Sequence, residues 1–449
     1  MSSEWGSALV DDMKASSQAS IAIGPFGSRM KSDCYVAQGV KVVRGTNISS
    51  GRTFSGDFVF VTSEKAQELG GANLRPNDLV FPHRGSIGEV GIVPDDGEQY
   101  VISSSLMKLT CDPLKAFPLF IYYFFKSENG RYELLKNASQ VGTPGIGQPL
   151  ASLKSIRVPL PPLNEQRSIA AFLGTLDDRI ILLRETNTTL EAIAQALFKS
   201  WFVDFDPVRA KAEGRQPEGM DATTAALFPD SFEESELGLV PKGWKAGVLS
   251  DLASFQNGYA FKSQDWVDTG HPVVKIGDVK PGLINFSGCS RVAPTTVVGL
   301  ERFKLSRGDL LVGMTGYVGE TGLVPQIEPD AYINQRVGRL VTRAGLSDIG
   351  MVYCAVRDSA YKVYAESQSH GSAQANVSGA ALLAYPLVIP RPDVLCSFNR
   401  IVEPLLESIL ANHEQAQTLT QLRDTLLPRL ISGQLRLPDA EQSMSEALT

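Results

Sequence analysis

The sequence predicts an α+β protein: two similar, mostly-β domains separated by two long antiparallel coiled-coil helices, with pseudo-twofold symmetry. Three observations lead there. The chain is written twice, each copy ends in a heptad-patterned segment, and the apolar runs inside each copy are short, β-branched and broken by Gly, Asn and Pro. At 449 residues the chain is also too long for one ordinary domain, for which about 100–200 residues is usual.

The repeat has a period of roughly 230 residues. Trp5, Val10, Asp12 and Met13 match Trp244, Leu249, Asp251 and Leu252. GVKVVRGTNI (Gly39–Ile48) matches GHPVVKIGDV (Gly270–Val279). NDLVFPHRGSIGEVGIVP (Asn77–Pro94) runs against GDLLVGMTGYVGETGLVP (Gly308–Pro325) without a gap, pairing Asp78, Gly85, Gly88 and Pro94 with Asp309, Gly316, Gly319 and Pro325. GTPGIG (Gly142–Gly147) falls opposite GSAQAN (Gly371–Asn376), and each is followed by a proline-flanked strand, IRVPLPP (Ile156–Pro162) or YPLVIPRP (Tyr385–Pro392). PLFIYYFFKS (Pro118–Ser127) and its partner DIGMVYCAV (Asp348–Val356) read as helices within the β domains.

In order, the expected parts are a first domain (1–162), a long helix (163–205), a linker (206–240), a second domain (241–392), a second long helix (393–437) and a tail (438–449). The first helical seam is Ile169, Leu173, Leu176, Ile180, Leu183, Asn187, Leu190, Ala194, Leu197 and Trp201. The second is Phe398, Val402, Leu405, Ile409, Asn412, Ala416, Leu419, Arg423, Leu426 and Leu430. Steps of four and three give each helix one narrow apolar stripe, so the two should pack on each other over roughly 50–60 Å. Asn187 and Asn412 each interrupt a stripe; facing each other, they would fix register at a cost in stability, and the bland alternative is a wet spot in the seam. The linker carries Pro, Gly and the acidic run PDSFEESEL (Pro229–Leu237) and shows no periodicity.

Composition bounds the function. No stretch of about 18 uninterrupted apolar residues is present, so no membrane-spanning helix is expected. MSSEWGSALVDDMK lacks a basic start and apolar run, so no signal peptide is expected and a cytoplasmic location follows. Cys34, Cys111, Cys289, Cys354 and Cys396 are scattered without a CxxC pair, which argues against a disulfide frame or a zinc site. His83, His271, His370 and His413 lack ligand spacing, so no metal site is expected. There is no GxxxxGK[ST] phosphate loop and no asparagine-proline-proline-aromatic motif of an amino-methyltransferase. GMTGYVGETG (Gly313–Gly322) has no lysine and reads as a tight turn; PDDGEQ (Pro94–Gln99) has no lysine after its glutamate and reads as a solvated turn. The chain is therefore expected to be non-catalytic. Its net charge of −7 runs against simple nucleic-acid electrostatics, although it says nothing of a local patch.

The order of parts and several motifs resemble the specificity subunits of type I restriction–modification systems. IGPFGSRMKSDCYVAQGVKVVRGTNI (Ile23–Ile48) and LRPNDLVFPHRGSIGEVGIVP (Leu74–Pro94) look like successive blocks of their target-recognition domains. IRVPLPPLNEQRSIAAFLGTLDDRI (Ile156–Ile180) is similar to the start of their central conserved helix. LFKSWFVDFDPVRAKAEG (Leu197–Gly214) and FPDSFEESELGLVPKGW (Phe228–Trp244) resemble the linker that follows it, and LRDTLLPRLISGQLRL (Leu422–Leu437) resembles their C-terminal end. RPDVLCSFNR (Arg391–Arg400) departs from the family's PPLxEQ.

The resemblance implies two domains that each read one half of a split, asymmetric double-stranded DNA site, and helices that hold two modification subunits, adenine methyltransferases. Restriction and motor subunits would join through these. S-adenosylmethionine, ATP and Mg would sit on those partners and no cofactor on this chain, in a bacterial or archaeal cytoplasm. Two alternatives stay open: a helical scaffold that reads no DNA, favoured by the net charge, and a fused nuclease or methyltransferase, opposed by the missing motifs.

Base reading needs amide, hydroxyl or guanidinium groups on loops. In the first copy the candidates are Ser28, Arg29, Lys31, Arg44, Thr46, Asn47, His83, Arg84 and Thr143. In the second they are Tyr259, Lys262, Lys275, Asp278, Thr315, Tyr317, Ser372, Gln374 and Asn376. For any single one, the competing reading is a satisfied turn or a phosphate contact. Collectively, matched loops differ most at their tips, as in RG at Arg44–Gly45 against KI at Lys275–Ile276, which is what two readers of different half-sites require.

Overall fold

Each copy begins and ends on the same two-stranded ribbon. Gly6–Leu9 pairs antiparallel with Arg157–Leu160, and Lys245–Val248 pairs antiparallel with Pro386–Ile389. A computed structural model describes residues 5–26, 29–48, 51–139, 143–343, 349–369 and 375–448. It divides into two compact units, Met1–Leu182 with Ala416–Thr449, and Leu183–Gln415. Each holds one repeat domain and a part of each long helix.

The repeat domains have matching sheets. In the first, Ile21–Ile23, Leu106–Leu109, Leu79–Pro82 and Gly91–Ile92 form one sheet in that order, and Val59–Val61, Val40–Val43 and Tyr100–Ile102 a second. In the second, the order Ala253–Asn257, Val337–Thr342, Leu310–Gly313 and Thr321–Leu323 repeats the first sheet, with Gly282–Leu283 added at the edge. The parallel pairing of Val40–Val43 with Tyr100–Ile102 recurs as His271–Val274 with Tyr332–Ile333. VKVV and YVI are largely buried runs rich in β-branched and aromatic residues, as strands inside a mixed sheet require.

An ion pair holds the centre of each copy, buried in the first and half-buried in the second. Asp78 is 1% exposed; it accepts from the Arg75 amide at 3.0 Å and from Thr110 Oγ1 at 2.6 Å, and lies 3.3 Å from Lys108 Nζ. In the second copy Asp309 accepts from the Ser306 amide at 2.8 Å and from Arg339 Nη1 at 2.7 Å. The same two sites carry acid and base in both copies, with Lys exchanged for Arg.

The helices expected inside the domains are Pro118–Lys126 and Ile349–Arg357. Every residue from Phe120 to Phe125 is buried, so no amphipathic stripe marks the first of them. Each is followed by a second helix, Glu128–Leu135 and Ser359–Ser367, started by the side-chain caps Ser127 and Asp358.

The long helices are Leu163–Phe198, of 36 residues, and Pro392–Ile431, of 40. Gln166 of the PPLNEQ segment is 1% exposed and ties the first helix to its domain: its Oε1 accepts from the Phe117 amide at 2.8 Å and its Nε2 donates to the Pro161 carbonyl at 2.8 Å. The second copy lacks that glutamine. About one turn further along the second helix, buried Asn399 accepts from the Met351 amide at 3.0 Å and takes over the tethering. The departure at Arg391–Arg400 therefore changes the residue, not the start of the helix.

In both units the helices pair antiparallel. In the first unit Leu176, Ile180, Leu419 and Leu426 are buried, and Asp177 binds Arg423 Nη1 at 2.7 Å and Tyr123 Oη at 2.7 Å. Arg423, written into the apolar seam, is thus a buried-side ion-pair partner. In the second unit Leu183 and Ile409 are buried, Leu190, Leu197 and Leu405 are half-buried, and Leu406 and Leu410 turn fully inward beside Leu405. Asn412 Nδ2 donates to Asn187 Oδ1 at 2.9 Å, and Asn187 Nδ2 donates to the Ile409 carbonyl at 2.9 Å.

The segment read as an aperiodic linker is structured. A π-helical turn, Lys199–Val203, ends the first long helix, and Asp206–Ala212, Ala222–Ala226 and the hairpin Phe232–Ser235/Gly238–Pro241 follow. Trp201, Phe228 and Trp244 form an aromatic core there: the Trp201 and Phe228 ring centroids are 4.9 Å apart and edge-on. Its elements are too short to show periodicity, which is why the sequence reads as loop.

Two stability predictions follow from these pairs. Lys108→Ala strands a buried carboxylate and should cost about 3–5 kcal/mol in denaturant unfolding, whereas Lys108→Arg, the second copy's own solution, should cost far less; equal losses would rule out the ion pair as the cause. Asn412→Leu alone removes the donor to Asn187 and should lower stability by about 1–3 kcal/mol. Adding Asn187→Leu should recover that loss and raise the melting temperature above wild type; a double variant no more stable than the single one would exclude the pairing role.

Candidate nucleic-acid interface

In each domain the candidate loops gather on one hydrogen-bonded frame. In the first copy the His83 amide donates to the Ser105 carbonyl at 2.9 Å, Ile146 to His83 at 2.9 Å, and Gly85 to Pro144 at 2.9 Å. In the second, Met314 donates to Arg336 at 3.1 Å, Val377 to Met314 at 2.9 Å, and Gly316 to Ala375 at 2.9 Å. Isolated bridges join Arg84 to Gly145 and Thr315 to Asn376. Three loops are thus joined in the same way twice. The frame places Gly145, not Gly147, opposite Asn376, so the glycine-loop alignment read from sequence moves by two residues.

On the first frame Arg84 and Thr143 are exposed. His83, its neighbour, is 2% exposed, and its Nε2 lies 3.0 Å from the Ser104 carbonyl, which can only accept. The ring is therefore a neutral Nε2–H donor that supports the turn from beneath. Burial pushes its pKa below the usual histidine range; the Ser104 bond opposes this and the Arg84 charge adds to it.

The loop at Gly45–Asn47 lies beside this frame, with Ser86 and Pro82 next to Gly45. Thr46 is exposed, but Asn47 is 1% exposed: its Oδ1 accepts from the Arg44 amide at 3.0 Å, and its Nδ2 donates to the Ser55 and Asp57 carbonyls, each at 3.0 Å. Arg44 Nη2 donates to the Asp57 carbonyl at 2.5 Å. Asp278 repeats the Asn47 role, accepting from the Lys275 amide at 2.8 Å. Asn47 and Asp278 thus face inward and hold turns; the amide of Asn47 is spent on backbone. Arg29 is exposed and donates to the Glu68 carbonyl at 3.3 Å, and Lys31 and Lys262 are exposed. Ser28, Ser372 and Gln374 lie outside the described residues.

In the second copy Thr315 is buried and donates through Oγ1 to Asn376 Oδ1 at 2.9 Å, which orients the exposed Asn376. Tyr317 is 61% exposed at the tip of the glycine-rich turn, where Gly316 at φ +75° and Gly319 at φ +77° adopt the left-handed conformation that glycine favours. Tyr259 is half-buried against Phe261 and Phe303, with centroids 4.9 and 5.3 Å away. Lys275 Nζ sits 3.6 Å from the Trp266 ring centroid and 2.7 Å from Ser290 Oγ, which anchors it to its own domain.

The second frame also opens a cleft lined by Asn257, Thr315, Gln335, Arg336, Asn376 and Ser378, of which only Thr315 and Asn376 were singled out from sequence. Gln335 and Arg336 are exposed, and the Gln335 amide donates to the Tyr259 carbonyl at 2.9 Å. The signal was present in sequence: ISSSLMKL (Ile102–Leu109) aligns with INQRVGRL (Ile333–Leu340) in frame, and small hydroxyl residues Ser103–Ser105 give way to the larger polar side chains of Asn334–Arg336. Among the described residues no group of His, Cys, Asp or Glu is arranged to hold a metal, and no helix is long and apolar enough to cross a membrane.

The family described as the type I restriction modification DNA specificity domain matches residues 25–192 and again 241–426. The chain belongs to that family. It carries the family's domain twice, and both copies bear the frame just described. The HindI specificity subunit of Haemophilus influenzae is 25% identical to it over 434 residues, covering 86% of this chain and 94% of that protein. The EcoKI specificity subunit of Escherichia coli is 24% identical, covering 88% and 82%. The MjaIX specificity subunit of Methanocaldococcus jannaschii is 24% identical, covering 71% and 69%. The crystal structure of a type I restriction–modification S subunit from M. genitalium shares the fold, with a TM-score of 0.58 at 18% identity over 96% of each chain.

His83 supplies a pH prediction. The unfolded chain takes up a proton at the ordinary histidine pKa of about 6.5, while the folded site resists it, so the contribution is full above that pH and is lost as pH falls. His413, also held low by burial, acts in the same direction. His83→Met, the residue of the second copy, should flatten part of the stability decline between about pH 6.5 and 5 in urea titrations. An unchanged pH profile would sink this assignment.

Proposed function

We propose that this chain gives a type I restriction–modification complex its sequence specificity, each domain reading one half of a split, asymmetric double-stranded DNA site. The observation that carries the reading is one backbone frame built twice with different side chains at its tips. Phosphate contacts position such a protein and base-edge contacts specify the sequence, so two domains of one frame and unlike tips suit two unlike half-sites. Arg84, Thr143, Tyr317 and Asn376 are the base-side candidates, and Arg29, Lys31, Thr46 and Lys262 suit backbone phosphates. Asn47, Asp278, His83 and Lys275 support the loops.

In this reading the chain is not itself catalytic. The paired helices dock two adenine methyltransferase subunits, and restriction and motor subunits join through them. S-adenosylmethionine, ATP and Mg belong to those partners, and the assembly works in the cytoplasm of a bacterium or archaeon. The acidic net charge is compatible with this role, because counterion release depends on charge at the contact surface.

Mapping methylated adenines in genomic DNA, with and without the gene and with its methyltransferase partner present, tests the reading. One split motif should vanish with the gene. An unchanged methylation pattern would refute it.

A further inference from the structure

Resting on that reading, we infer that a base-reading arginine has moved between adjacent loops of the frame: Arg84 serves the first domain, and Arg336 on the neighbouring turn serves the second. A single backbone bond couples the two positions through the residue before the first of them: His83 to Ser105 in one copy and Met314 to Arg336 in the other. At those positions the first copy carries Arg84 and Ser105, and the second carries Thr315 and Arg336. Each domain thus holds one guanidinium and one short hydroxyl side chain, in opposite arrangement.

The surroundings fit the exchange. Thr315 is 8% exposed and spends its hydroxyl on Asn376, so it presents no reading group of its own. Arg336 is exposed on the rim of the cleft, flanked by Gln335, Asn257 and Asn376. No side-chain partner engages its guanidinium among the described residues. By contrast Arg339, three residues along the same segment, is spent on Asp309 and Gln256, and Arg291 donates to the Gly270 carbonyl. Beside Arg336, Gln335 and Asn376 are the side chains that bind adenine in two-point fashion, while the arginine suits the N7 and O6 of guanine.

The geometry gives this a consequence in base pairs. Neighbouring segments of a β ladder lie about 4.8 Å apart, and base pairs rise by about 3.4 Å. Moving the arginine by one segment therefore moves the guanine it reads by between one and two base-pair steps relative to the rest of the domain's contacts. The second domain differs from the first in where it asks for guanine as well as in which bases it takes.

The experiment uses the full chain with its methyltransferase partner and reads methylated motifs across a genome. Wild type must first yield a split motif, and failure there would refute the parent reading alone. With the motif in hand, Arg336→Ala should relax one G·C position in one half-site, with discrimination falling roughly 10–100-fold there, and leave the other half-site intact. Thr315→Arg combined with Arg336→Ser, which installs the first domain's arrangement, should shift the guanine requirement by one or two positions. An unaltered motif with uniformly weaker methylation would overturn the inference and make Arg336 a phosphate contact. If Arg336→Ala abolishes methylation, binding of the purified complex to duplexes altered one position at a time decides: loss of preference at one position supports the inference, and preference kept at every position overturns it.

Discussion

A backbone hydrogen bond is indifferent to the side chain its residue carries, and the reading face of this protein depends on that. His83–Ser105, His83–Ile146 and Gly85–Pro144 in one copy, and Met314–Arg336, Met314–Val377 and Gly316–Ala375 in the other, are main-chain pairs. Side chains that must vary with the target are therefore suspended from bonds that do not vary with them. The groups that cannot vary face inward. Asp78 and Asp309 satisfy the turn amides of Arg75 and Ser306 and neutralise Lys108 and Arg339, deep in the first copy and half-buried in the second. An unpaired charge there is costly, so the pair changes only in kind, lysine for arginine.

The repeat, the long helices and the sheet strands were legible in sequence because they rest on apolar spacing, which a linear pattern records. The aromatic helix at Pro118–Lys126 was legible by its match to the second copy rather than by periodicity, since it is buried all round. One feature of the fold was hidden. The structure after Trp201 is built from elements of four to seven residues held by Trp201, Phe228 and Trp244, and contacts so far apart leave no local trace.

The site was half legible. Residue type alone does not separate Asn47, whose amide is consumed by three backbone groups, from Asn376, which faces solvent. Both are asparagines in polar loops; only the path of the chain decides. Gln335 and Arg336 were overlooked for another reason: they sit in a strand-to-strand turn with no glycine or proline to flag it, and only the comparison ISSSLMKL against INQRVGRL points to them.

The ribbons that open and close each copy give the protein an evolutionary handle. Gly6–Leu9 lies against Arg157–Leu160, and Lys245–Val248 against Pro386–Ile389. The chain therefore leaves each domain within about one strand spacing, 4.8 Å, of where it came in. A module with neighbouring ends can be spliced out of a gene and replaced by a distant cousin without altering the length or path of what flanks it. Recombination between sister genes at the ribbon codons would then deliver a ready-made new reader in one step, and a lineage would diversify by shuffling whole modules as well as by accumulating point changes at the tips.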